Sequence, residues 1–153
     1  MHKKPKVTTF DQSNTKQFDE KIKHINGIIL FHHPECIHCV MLRPKWEMMK
    51  RKLNNDCEIM EVNVSALEQS NSPIRKQVQG YPMIVHVQNG IIKHRFEQER
   101  NIENLIRFIN HHINNKANKL EFNYKVIKNN SGKNKLKKIT KRNNNKKRKT
   151  RKN

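Results

Sequence analysis

The run Phe31-His32-His33-Pro34-Glu35-Cys36-Ile37-His38-Cys39 constrains this chain more than any other, because a short apolar strand leads straight into two cysteines that open an amphipathic helix. Thiols at i and i+3 in a helix's first turn are close enough to close one small disulfide ring. The first thiol faces the turn's unpaired amides, and these, with the helix dipole, favour a thiolate at Cys36. A lowered pKa supplies the thiolate that attacks a disulfide and makes Cys36 a good leaving group when Cys39 resolves the intermediate. The spacing therefore suits thiol–disulfide exchange. His38, between the cysteines, can stabilise the Cys36 thiolate when its imidazole is partly protonated, while the Glu35 carboxylate works against it. Two other readings of the pair stay open. One is a pair of inert core thiols, and the other is zinc held with His32, His33 or His38, although no second Cys-x-x-Cys or spaced Cys/His pair completes a tetrahedral set.

Around this stretch the pattern alternates strand and helix. Val7 to Phe10 reads as an edge strand, and Asp11 to Ile25 as a helix capped by Asp11 or Ser13, with Phe18, Ile22 and Ile25 on one face. Gly27 to His33 is apolar on both faces, as a central strand covered on both sides must be. From Cys36 to Leu53, residues Cys39, Leu42, Trp46, Met49 and Leu53 mark a long helix bent at Pro44. Trp46 belongs to its core stripe. Cys57 to Val64 is the next strand, with Cys57 a buried and inert thiol; Asn63 to Asn71 reads as a polar connection, and Ser72-Pro73 starts a short helix running to Gln79. Met83 to Gln88 and Ile91 to Phe96 form a hairpin about Asn89-Gly90, and a last helix spans about Asn101 to Asn114. The order βαβαβαββα predicts an α/β domain with a central mixed sheet of about five strands flanked by helices.

Phe31 to Leu42, followed by Pro44, Trp46 and Glu47, resembles the active-site stretch of thioredoxin-fold proteins, above all the catalytic domains of protein disulfide isomerase. Gly80-Tyr81-Pro82, followed by an apolar strand and Asn89-Gly90, resembles the segment bearing that family's cis-proline. The resemblance covers roughly residues 5 to 115 and implies the thioredoxin fold. It also implies a thiol–disulfide oxidoreductase acting on protein substrates, with Cys36 as nucleophile, Cys39 as resolving thiol and no cofactor. Substrate would lie against Ile37, Tyr81, Pro82 and Met83, the last three through the cis-proline segment. Two departures stand out. Ile37 replaces the usual glycine, and Leu30 replaces the buried acid that takes the resolving cysteine's proton, leaving water or a histidine such as His33 to do so. Otherwise His32 and His33 read as strand packing with one ring turned out.

Net charge is +20, and residues 128–153 hold 13 Lys or Arg and no acid, so the chain before them carries only +7. A run of like charge with almost no apolar residues cannot bury enough surface to offset chain entropy, so the sequence predicts a domain over 1–127 and a disordered basic tail over 128–153. Lys146, Lys147, Arg148, Lys149, Arg151 and Lys152 form a cluster suited to nucleic acid or another polyanion, or to a nuclear import receptor. This suggests an alternative role, a catalytically weakened peptide-binding module anchored by its tail. Residues 1–7 are charged where a signal peptide needs an apolar core, and no run is long enough for a membrane span. The expected compartment is cytoplasm or nucleus; the alternative, from Asn, Lys and Ile richness, is the particle of a large DNA virus.

Overall fold

The computed structural model describes residues 2–113. The expected domain end at residue 127 and the basic tail with its cluster from Lys146 to Lys152 lie outside the described residues.

The central strand is β2, Asn26–His32, and its alternation builds two cores at once. Ile29 and Phe31 pack with Phe18, Ile22, Met60, Val62, Ala66 and Leu67 on one face. Ile28 and Leu30 pack with Leu42, Trp46, Met49, Ile84, Leu105 and Ile109 on the other. Successive side chains of a strand point to opposite faces, so an unbroken apolar run demands cover on both. β3, Glu58–Asn63, runs parallel to β2 on one side, and β4, Met83–Gln88, antiparallel on the other. β1, Lys6–Phe10, pairs with β3, and β5, Ile91–Arg95, with β4, so the sheet order is β1-β3-β2-β4-β5. This is the predicted mixed sheet of five strands.

The helices follow the predicted order, with differences at their ends. α1 is Thr15–Ile22, with Asn14 and not Asp11 or Ser13 at the N-cap position, and the Asn14 side chain makes no capping bond to the helix. Asp11 Oδ1 accepts from the Ser13 N–H at 2.7 Å and Asn14 Oδ1 from the Asp11 N–H at 2.8 Å, so these side chains fold a turn ahead of the helix. α2 is Ile37–Lys52, with Cys36 as its N-cap and Pro44 inside it. The carbonyl that Pro44 leaves unpaired belongs to Val40, which is half exposed, so water can reach it.

Where the sequence predicts a polar connection there is a helix, α3, Val64–Gln69. Asn63 Oδ1 caps it by accepting from the Ser65 N–H at 2.9 Å, and Ala66 and Leu67 enter the core. The segment from Pro73 ends earlier than predicted, as a 3-10 helix over Pro73–Gln77. Asn89 and Gly90, at φ 51° and 76°, make the left-handed two-residue turn of the β4–β5 hairpin. α4, Ile102–Ile113, buries Leu105 and Ile109 beside α2. Among the described residues no helix is long and apolar enough to cross a membrane.

Candidate active site

β2 delivers the chain to the cysteines from its C-terminal end, in the middle of the sheet, and the start of α2 fixes their geometry. Cys36 has extended backbone angles, φ −81° and ψ 117°, while its carbonyl accepts from the N–H groups of Cys39 at 3.0 Å and Val40 at 3.1 Å. Its side chain therefore sits over the open end of the helix. The Cys39 main-chain N–H is the largest influence lowering the Cys36 pKa; burial opposes it, and the Cys39 thiol, the His38 N–H and the Arg100 charge add to the lowering. Cys39, 6% exposed, is shifted the other way, first by burial and then by the adjoining Cys36. Neighbouring thiols thus differ in acidity in opposite senses. Cys57 is buried, and burial with the Asp56 charge pushes its thiol up to about 11.

Tyr81 approaches from across the sheet. Its carbonyl lies 3.4 Å from Cys36 Sγ, and the Tyr81–Pro82 peptide bond is cis. Pro82 is buried and Arg100 donates from Nη2 to its carbonyl at 3.3 Å. Ile37, Val40 and Met41 are exposed on the first turns of α2, giving the thiols an apolar rim. Met83 is half-buried against the core beneath Phe31. His38 is exposed, and its influence on Cys36 comes through its main-chain N–H. Arg100 escapes a sequence reading because it lies in a loop 64 positions after Cys36.

Beneath Cys39 is a cavity of about 250 Å³ lined by Leu30, His32, Leu42, Arg43, Trp46, Glu47, Glu61 and Pro82, among others. Leu30 is indeed buried here and brings no acid. His33 does not take that place with its ring: its Nδ1 accepts from the Glu35 N–H at 3.1 Å, and it reaches Cys39 through its main chain. The ring in the cavity is that of His32, held below its usual pKa by burial, against the Glu61 charge.

Of the carboxylates lining the cavity, Glu61, which the sequence reading passes over, is more buried than Glu47. It is the β3 partner of Leu30, one strand across. Glu61 Oε1 accepts from Trp46 Nε1 at 2.9 Å and Lys50 Nζ at 2.6 Å, and Lys50 also pairs with Glu47 at 2.7 Å. Trp46, core as expected, thereby also orients an acid. A signal existed in the pattern: Glu61 lies two positions after Ile59 and so on the same face of the strand, and Ile59 is fully buried.

The thioredoxin family model matches residues 9–111. The chain is 28% identical over 107 residues to a thioredoxin domain-containing protein 5 homolog of Drosophila melanogaster, covering 68% of this chain and 26% of that protein. It is 33% identical over 87 residues to a protein disulfide-isomerase of Datisca glomerata, covering 55% of this chain and 17% of that one. The chain thus spans about a quarter or less of these two relatives. Among solved structures, the J-Trx1 fragment of ERdj5 superposes with a TM-score of 0.58 at 22% identity, covering 71% of this chain and 52% of that one, a likeness of fold.

Proposed function

This chain belongs to the thioredoxin family, a family of thiol–disulfide oxidoreductases, and from that premise we propose that it exchanges disulfides with protein substrates through Cys36 and Cys39. The Cys36 thiolate attacks one sulfur of a substrate disulfide, forming a mixed disulfide and releasing the other substrate sulfur as a thiolate, which takes a proton. Cys39 then gives up its proton and attacks Cys36 Sγ; the second substrate thiol leaves, and the enzyme holds the disulfide while the substrate is the dithiol. The reverse sequence oxidises a substrate. The observation that carries this reading is the pair's opposed acidity at the open end of α2: the Cys39 main-chain N–H lowers the Cys36 pKa, favouring the attacking thiolate, while burial raises that of Cys39, favouring its thiol.

Cys39 needs an acceptor for that proton. Glu61 is the residue suited to it, acting with His32 across the cavity, since Leu30 has nothing to offer. Ile37, Val40 and Met41 favour apolar segments of substrate, and the Tyr81 main chain beside Cys36 favours an extended one. The buried Leu30 supports the alternative, a fold kept for binding peptides with slow chemistry.

The deciding experiment equilibrates the Cys57→Ser protein with glutathione so that only one couple titrates. A single two-electron couple is expected, near about −180 mV if the site is poised like protein disulfide isomerase and near about −270 mV if like thioredoxin. Failure of Cys36 and Cys39 to form a disulfide at any ratio removes the enzymatic reading and leaves the binding one.

A further inference from the structure

The thiol chemistry leaves one cluster of side chains unused. His86 on β4, His94 on β5 and His112 in the last turn of α4 stack against one another, with ring centroids 5.7 Å apart for His86–His94, 5.5 Å for His86–His112 and 4.0 Å for His94–His112. One nitrogen from each ring lies within 4.8 Å of the other two. The hairpin register sets His94 opposite His86, and strand alternation turns His86 to the same face as Ile84, which α4 helps to cover. His86 is 4% exposed.

Its two nitrogens are treated differently by the fold. Nε2 is 2.9 Å from Asn26 Oδ1. An amide oxygen only accepts, so the proton is on Nε2 and Nδ1 presents a lone pair. That Nδ1 is buried with no hydrogen-bond partner, an arrangement proteins avoid unless something else meets the atom. Fixing one imidazole nitrogen by a hydrogen bond so that the other can ligate is how metal-binding histidines are oriented.

We propose that His86, His94 and His112 form a binding site for a divalent transition-metal ion, zinc by ligand type, with His86 Nδ1 as the buried anchor. Imidazole donors suit zinc, and three protein ligands leave a fourth position for water or an anion. Tetrahedral donors about 2.0–2.1 Å from zinc stand roughly 3.3 Å apart, so the rings must close by roughly 1.5 Å. His94 is exposed and His112 partly so, which leaves both free to turn while His86 stays fixed. An open cleft lined by Lys93, His94, Arg95, Phe96, Glu97, Phe108 and His112 admits the fourth ligand, and its two cations favour an anionic one. His86 is three residues along β4 from Met83, roughly 10 Å of strand, so this ion serves as a clip joining β4, β5 and α4 and stands apart from the cysteines. The three positions are 8 and 18 residues apart, a spacing no short metal motif has, and only strand pairing reveals them.

The test uses untagged full-length Cys36→Ser/Cys39→Ser protein, so that the thiols cannot bind the probe, titrated calorimetrically with zinc chloride. A single equivalent should bind. His94→Ala, at an exposed position that leaves the core intact, should weaken binding by at least about 10-fold, as should Asn26→Ala by freeing the His86 tautomer. Cobalt(II) should show visible d–d bands that are lost in His94→Ala, and zinc should raise the Tm of the parent but not of that variant. No stoichiometric binding, or equal affinity in parent and His94→Ala, overturns the proposal. The thiol pair takes no part in this readout, so its outcome is independent of the oxidoreductase reading.

Discussion

Leu30 and Glu61 sit side by side on neighbouring strands, and what one lacks the other supplies. Exchanging an acid for leucine on β2 removes a proton acceptor from beneath Cys39, while a carboxylate on β3 opens into the same cavity, oriented by Trp46 and Lys50. Glu61→Gln keeps the volume and removes the charge. Resolution of the mixed disulfide by Cys39 should slow by roughly 10²-fold, the lower end of what general acid–base groups contribute. Trapped enzyme–substrate disulfide should accumulate, its decay should depend more steeply on pH, and initial attack by Cys36 should be little changed. Equal decay rates at every pH would remove Glu61 from the chemistry. The thiols give a second prediction. Cys36 has a lowered pKa, so its alkylation by iodoacetamide should stay level as pH falls below about 8.5, the ordinary thiol value, and drop only at its own lower pKa. By linkage, its contribution to the stability of the reduced fold is full above the ordinary thiol pKa and is lost as pH falls through the lowered one. Cys57, buried and shifted to about 11, should remain unlabelled in native protein at neutral pH. Mass spectrometry after brief labelling at pH 7 tests both; equal labelling of Cys36 and Cys57 would contradict the assignment.

At the scale of elements, what could be read from the sequence was what local pattern alone determines. Ile28 to Phe31 had to be a doubly covered strand, Asn89-Gly90 had to be a hairpin turn, and Leu42, Trp46 and Met49 had to share a helix face, because each follows from a period of two or of about 3.6. α3 was hidden because two adjacent buried residues, Ala66 and Leu67, are too few to set a period amid polar neighbours. The cap of α1 was misplaced because Asp11 and Asn14 both bond to nearby main chain, and only geometry tells which one borders the helix. At the site, the two thiols and the Tyr81-Pro82 segment were legible as motifs, whereas Glu61 and the His86–His94–His112 group depend on which strands are neighbours and in what register. Gly27 shows how tight that register is. A Cβ there would stand 2.5 Å from the Glu58 carbonyl oxygen, a main-chain atom in the adjoining strand that cannot swing aside. Gly27→Ala should therefore destabilise the fold by about 1–3 kcal/mol, as overpacking typically does. Urea unfolding measures it, and an unchanged midpoint would mean that β2 and β3 can separate locally without loss.

For the whole molecule, charge separates two kinds of chemistry along the chain. All three cysteines and all nine histidines precede residue 128, and beyond it lie 13 basic residues without one acid. We propose that a segment of that density associates electrostatically with a nucleic-acid backbone, and since it has no aromatic residue for stacking on bases the association should be indifferent to sequence. Each basic residue that contacts duplex phosphate releases condensed counterion, so the logarithm of the binding constant falls against that of salt concentration with a slope of about −0.9 per contact. Replacing Lys146, Lys147, Arg148, Lys149, Arg151 and Lys152 by glutamine should then flatten the slope by up to about 5, if all six contact phosphate. Fluorescence anisotropy on duplexes of two unrelated sequences, from low to physiological salt, measures the slope and the indifference together. The same variant should leave the glutathione equilibrium of Cys36 and Cys39 where it was, because among the described residues the side chains and main-chain groups that shift their acidity are those of His33, Cys36, His38, Cys39 and Arg100. An unaltered slope would assign phosphate binding to other basic residues, and a shifted equilibrium would mean that the basic segment acts on the thiols as well as on a polyanion.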